Sequence, residues 1–129
     1  TLAQQNDPEH RRRKARANYL EWLKSQGVDA DMIGTYRTLI RRCDDFVARN
    51  RISAKGVLLE ENPTALEVTY SALKKSLSFR SQPNANYMLT ALKRYIAFQE
   101  VACLFCFMLH SKTGSCQNGR IHSVCTVHS

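Results

Sequence analysis

Apolar residues recur along most of the chain at the three-and-four spacing of amphipathic helices, and that spacing predicts four helices. The most regular stripe is Met32, Ile33, Tyr36, Leu39, Ile40, Cys43, Phe46 and Val47, a second helix that starts after Asp29 or Asp31 and runs to about Arg49. Before it, Asp7 is placed to cap a first helix and Pro8 suits its first position. That helix runs to Gln26, where Gly27 can end it, with Ala15, Tyr19, Trp22, Leu23 and Gln26 near one face. Asn50 to Glu61 reads as a connector, broken by Gly56, with Val57-Leu58-Leu59 tucked onto the core. Asn62-Pro63 opens a third helix whose apolar face is Leu66, Tyr70, Leu73 and Leu77, and Ser78 to Pro83 reads as a loop.

A fourth helix begins near Asn84 and turns Met88, Ala91, Leu92, Tyr95 and Ile96 inward. Continued through Val101 to Leu109 it reaches about 39 Å at 1.5 Å per residue, longer than the others can cover. Its end is therefore expected to project, to pack on a partner, or to be covered by the tail. Ser111 to Ser129 has no acidic residue, is rich in Ser, Thr, Cys, His and Gly, and carries turn-like Thr113-Gly114 and Asn118-Gly119. Only Ile121 to His128 suggests a short strand there. The pattern predicts an all-α fold: a four-helix bundle with an extended fourth helix over residues 1–110, and an irregular Cys/His-containing tail over residues 111–129.

Composition narrows the class. A chain of 129 residues with 43% hydrophobic and 23% charged residues is suited to one globular domain. A formal net charge of +8 favours a polyanionic partner: DNA, RNA or an anionic membrane surface. A soluble protein that is merely basic accounts for the same total. Thr1 to Asp7 has no apolar core of signal-peptide length, and the longest apolar run, Val101 to Leu109, falls short of the roughly 20 residues that span a bilayer. No membrane insertion and a cytoplasmic location are expected. Five cysteines, four of them after residue 100, do not resemble a disulfide framework, so reduced thiols are expected.

The placement of the charge says more than the total. His10-Arg11-Arg12-Arg13-Lys14-Ala15-Arg16 loads the first turns of the first helix with cations, against the helix dipole. A phosphate partner explains that arrangement; so does a solvated charge run. Arg37 and Arg41 lie one turn apart on the second helix, away from its stripe, and Arg41 and Arg42 are spaced to pair with Asp44 and Asp45. Lys74-Lys75, Arg80 and Lys93-Arg94 complete a set in which each helix or its flanking loop carries cations. Neutralising several phosphates gives salt-sensitive binding, and arginine suits bidentate phosphate or guanine contact.

Tyr19-Leu20-Glu21-Trp22-Leu23, then Thr35-Tyr36-Arg37-Thr38-Leu39-Ile40-Arg41-Arg42, then Asn86-Tyr87-Met88-Leu89-Thr90-Ala91-Leu92-Lys93-Arg94-Tyr95-Ile96-Ala97-Phe98 form an order of helical patterns. Over residues 15 to 100 it resembles the SAM-like N-terminal core-binding domain of tyrosine recombinases, the phage integrases, copies of which also stand in other mobile-element proteins. The resemblance implies a four-helix domain that grips one side of a DNA duplex, with Arg37, Arg41, Lys93 and Arg94 touching DNA and Lys74, Lys75 and Arg80 near it. The family's catalytic domain, with its Arg-His-Arg set and tyrosine nucleophile, has no counterpart in this sequence. The tyrosines fall mostly at core spacing, so recombination is not expected. A tail that departs from the family suggests an end acquired when a mobile element lost its downstream domain.

Other chemistries have weaker signals in the sequence. Cys103 and Cys106 form a C-x2-C pair with His110 near the same helix face, and Cys116, His122, Cys125 and His128 follow, enough to offer zinc four ligands. Structural zinc pairs usually sit on turns, whereas Cys103-Leu104-Phe105-Cys106 lies in an apolar run, where buried thiols need no metal. A Cys/His hydrolase needs a low-pKa thiolate beside a base, and Cys43 sits in the core stripe. No phosphate loop or nucleophile elbow is present. The sequence thus predicts a non-enzymatic, cofactor-free binder of double-stranded DNA. The rival is a protein-interaction module that dimerises through Leu104, Phe105, Phe107, Met108 and Leu109 at the end of the fourth helix.

Overall fold

The computed structural model describes the backbone of residues 7–113 and the side chains of residues 7–104. Four long helices and one short one make an all-α bundle: α1 Pro8–Ser25, α2 Ala30–Arg49, α3 Pro63–Lys75, α4 Leu77–Arg80 and α5 Ala85–Thr113. The long helices are those the periodicity predicts, with α5 as the fourth. The added element is α4, which begins at Leu77, expected on the third helix, and runs into the stretch read as a loop. The strand expected over 121–128 and the tail from residue 114 lie outside the described residues.

The helix starts follow their caps. Asp7 accepts a hydrogen bond from the His10 amide (3.3 Å) and Asn62 from the Thr64 amide (2.9 Å), each followed by a proline at the first helical position. Asp29 precedes α2 without a side-chain cap bond. The ends of α1 and α2 share one device. In α1 the amides of Gly27 and Val28 bond back to Lys24 and Leu23, with Gly27 at φ +89°. In α2 the amides of Arg51 and Ile52 bond back to Ala48 and Val47, with Arg51 at φ +58°. Both are Schellman ends, the first with glycine at the left-handed position, the second with an arginine that bears the steric cost.

The core is a single cluster drawn from every helix and from the connector. α5 packs against α2 and α3 and touches α1 and α4; α1 packs on α2. Tyr36, Leu39, Ile40, Cys43, Phe46 and Val47 of the α2 stripe are buried, as are Met88, Ala91, Leu92, Tyr95 and Ile96 of α5. Tyr19, Trp22, Tyr95 and Phe98 form an aromatic joint between α1 and α5, with Tyr19 and Tyr95 edge to face at 5.1 Å. Val57 and Leu58 tuck onto the core as the sequence suggests, while Leu59 is half-buried.

Three expected core positions are on the surface. Met32, in the first turn of α2, is 44% exposed, and Gln26 is the exposed C-cap of α1. Leu77 is 76% exposed, because α3 stops at Lys75 and the Ser76 hydroxyl caps a new turn by accepting from the Phe79 amide (3.2 Å). That restart resets the helical phase and buries Phe79 against Phe46 in place of Leu77.

The connector is held by one carboxylate. Asp44 Oδ1 accepts from the amides of Val57 (2.8 Å) and Leu58 (2.9 Å), and Oδ2 lies 3.2 Å from Arg12 Nε. That ion pair lacks the alignment of a hydrogen bond, and the Arg12 guanidinium also donates to the Lys55 carbonyl (3.2 Å). Gly56, at φ +73°, passes so close that a Cβ there would run into the Asp44 carboxylate. On the far side the Tyr95 hydroxyl donates to the Leu58 carbonyl (2.8 Å) and accepts from Gln99 (2.9 Å), while the Tyr19 hydroxyl donates to Ala91 (2.8 Å). Burial pushes the Asp44 carboxyl up, against the pull of the Leu58 and Val57 amides and of Arg12.

Candidate nucleic-acid interface

The cations expected to meet phosphate have different surroundings. Arg12 is not part of an open basic face: its pairing with Asp44 and Lys55 withdraws it, with 21% of the side chain exposed. Nor do Arg41 and Arg42 pair with the two aspartates. Asp44 turns inward to Arg12, Asp45 pairs with Arg49 one turn on, and Arg42 donates to the Pro83 carbonyl (2.9 Å). Arg11, Arg13, Lys14, Arg41, Lys75, Arg80 and Lys93 are exposed.

Two of the predicted cations rest on aromatic rings. Arg94 of α5 lies over Tyr36 of α2, 5.2 Å from the ring centre, and Lys74 lies over Tyr70 at 5.5 Å. The first contact joins helices: it holds the α5 arginine beside the residue that precedes Arg37. Tyr36 is 6% exposed, so its ring is a support for the guanidinium and not a free stacking surface.

A second feature joins residues that sequence spacing alone does not group. α1 and α2 flank an open cleft of about 400 Å³, lined by Arg13, Arg16, Lys24 and Glu21 from α1 and Arg37 from α2. Ala17, Leu20, Ala30 and Ile33 supply its apolar lining. None of the five charged residues forms an ion pair among the described residues. Folding thus gathers four cations and one anion around one cleft. Arg16 belonged to the predicted charge run and Lys24 to no cluster. Their signal was the spacing Arg13, Arg16, Ala17, Leu20, Lys24, a second stripe on α1 beside the core stripe.

Groups suited to other chemistry lie apart from these surfaces. The Cys43 thiol is fully buried and pushed up to about 12, by burial first and by Asp44 second, which keeps it protonated and unreactive near neutrality. Burial likewise raises the hydroxyls of Tyr19 and Tyr95 above their ordinary value. Of the zinc candidates, Cys103 is half-buried on α5; the side chains of Cys106 and His110, and all of Cys116, lie outside the described residues. Among the described residues no helix is long and apolar enough to cross a membrane.

No family profile, curated protein or solved structure matches this chain.

Proposed function

We propose that the chain is a non-catalytic, mobile-element-associated domain that binds duplex DNA, as its resemblance to the integrase core-binding domain implies. The observation that carries this reading is the Arg94–Tyr36 contact, which seats an α5 cation on α2. A cation of α5 is thereby fixed on α2 across some sixty residues of sequence, and an arginine held on a ring loses less freedom when it meets a phosphate. Arg41 and Lys93, both exposed, extend the charge. Lys74, Lys75 and Arg80 add cations at the ends of α3 and α4. Binding of this kind weakens steeply with salt, because each neutralised phosphate releases counterions.

The test is fluorescence anisotropy of a labelled random duplex at 50 and 200 mM salt, with an Arg41→Ala/Lys93→Ala/Arg94→Ala variant beside the wild type. Binding that falls at least tenfold with salt and again in the variant supports the reading. No binding at 50 mM overturns it.

A second reading, a homodimerising interaction module, draws on the far end of α5, where Val101 is 49% and Leu104 61% exposed. Exposed apolar side chains on a helix face suit a second copy of the chain. Sedimentation velocity at several concentrations, with Leu104→Glu as control, separates a dimer from a monomer.

A further inference from the structure

We infer that the α1–α2 cleft is a binding site for a phosphorylated nucleoside, its phosphates held by Arg13, Arg16 and Arg37 and its nucleoside facing Glu21. The cleft is separate from the α2–α5 surface, though Arg37 stands between the two.

Charge is the first argument. Arg13 and Arg16 stand three residues apart on one helix face, a spacing at which like charges repel, and Arg37 faces them from α2. Each lacks an ion-pair partner among the described residues, in contrast to Arg12, whose neighbour Asp44 compensates it. A multiply charged anion would relieve that repulsion, and Leu20 and Ile33 add apolar surface beside the cations. Arginine forks from two helices can grip a phosphate from both sides.

Polarity along the cleft is the second. The two helices are joined by the short turn at residues 26–29, and Arg12 meets Asp44 at the other end, so they run antiparallel. Measured from that turn at 1.5 Å per residue, Arg37 lies about 10 Å along α2, Arg16 about 14 Å along α1 and Arg13 about 18 Å. Glu21 and Lys24 lie within about 6 Å of it, opposite Ala30 and Ile33. One end is thus purely cationic. The other mixes a carboxylate, an ammonium and apolar surface. A bare phosphate would use only the first end. A nucleotide uses both, with a base amino group or a sugar hydroxyl donating to Glu21. A volume of about 400 Å³ suits a ligand of that size.

The phosphate can belong to a free nucleotide or to the 5′ end of a strand, and the experiment separates them. Calorimetric titrations of the full chain would use ADP, pyrophosphate, adenosine, and a short oligonucleotide with and without a 5′ phosphate. ADP is expected to bind more tightly than pyrophosphate, and adenosine more weakly than either. Arg16→Gln/Arg37→Gln should weaken ADP at least tenfold with an unchanged thermal melt. Glu21→Gln should lower the preference for ADP over pyrophosphate. A 5′ phosphate that tightens the oligonucleotide at least tenfold identifies a strand end as the ligand; ADP binding without that gain identifies a free nucleotide. Should the double variant melt early, Arg16→Lys/Arg37→Lys replaces it, and a threefold or greater loss of ADP affinity is then expected. The inference is overturned if ADP does not bind at millimolar concentration, or binds both double variants as it binds the wild type. The Arg41/Lys93/Arg94 triple variant should keep ADP binding. Retained ADP binding alongside failed duplex binding would sink the DNA reading and leave the cleft standing.

Discussion

Arg12 and Arg13 are adjacent in sequence and lie on two different sides of α1. Arg12 turns to the core side, where Asp44 and the Lys55 carbonyl meet it and where Asp44 also fixes the connector through Val57 and Leu58. Arg13 turns to the cleft, where Arg16, Lys24 and Arg37 add like charge and only Glu21 opposes them. The same residue type serves opposite ends: on one side a cation closes a polar network, on the other its charge is left available. Stability is therefore expected to depend on the first side and ligand binding on the second.

The broadest effect should come from alkali. Cys43, Tyr19 and Tyr95 all lie on the closed side, and burial raises all three. A group whose pKa is raised by folding contributes stability that is whole below its unfolded value and is lost as pH climbs through its folded one. For Cys43 that window runs from 9 to about 12. Urea midpoints should fall across it, and a Cys43→Val variant should fall less. An identical pH profile in that variant would contradict the assignment to Cys43.

Next in size is Asp44→Ala, which leaves two buried amides without an acceptor and Arg12 without its partner. A loss of about 3 kcal/mol in urea denaturation is expected. Gly56→Ala attacks the same contact from the connector, through both the clash and the positive φ, and should cost about 2 kcal/mol. If either variant unfolds like the wild type, the carboxylate is not what holds the connector. Arg51→Gly should act in the opposite direction. It places at the end of α2 the residue that Gly27 already supplies at the end of α1, and a gain of about 1 kcal/mol is expected, read as a higher melting temperature.

These positions also show how far the sequence could be read. The helices were legible because their stripes and caps are local: Asp7-Pro8, Asn62-Pro63 and the α2 stripe act within a few residues. Asp44 was misread for the same reason. Its spacing from Arg41 obeys a local rule, whereas its actual partners, Arg12 and the amides at 57 and 58, are brought in by the tertiary fold. Leu77 and Phe79 exchanged roles because Ser76 restarts the helix, and a hydroxyl that caps leaves no trace in apolar periodicity. The clustered basic residues could be named, but not which of them turn inward. The cleft needed Arg37 to be placed against α1, which no spacing within one helix can do.

The smallest effect is the one that tests the open side. Arg16→Ala removes a cation from a like-charged group and breaks no ion pair among the described residues, so its effect on stability should stay within about 0.5 kcal/mol. Its sign is the sharper statement. At 10 mM salt, where the screening length is about 30 Å, the variant should be slightly more stable than the wild type; at 1 M, where it is about 3 Å, the difference should vanish. Arg12→Ala should behave otherwise, losing stability at both salt concentrations because a buried carboxylate is left unpaired. If Arg16→Ala instead lost stability as Arg12→Ala does, the cleft arginines would be part of the structural framework, and the division of α1 into a closed side and an open one would fail.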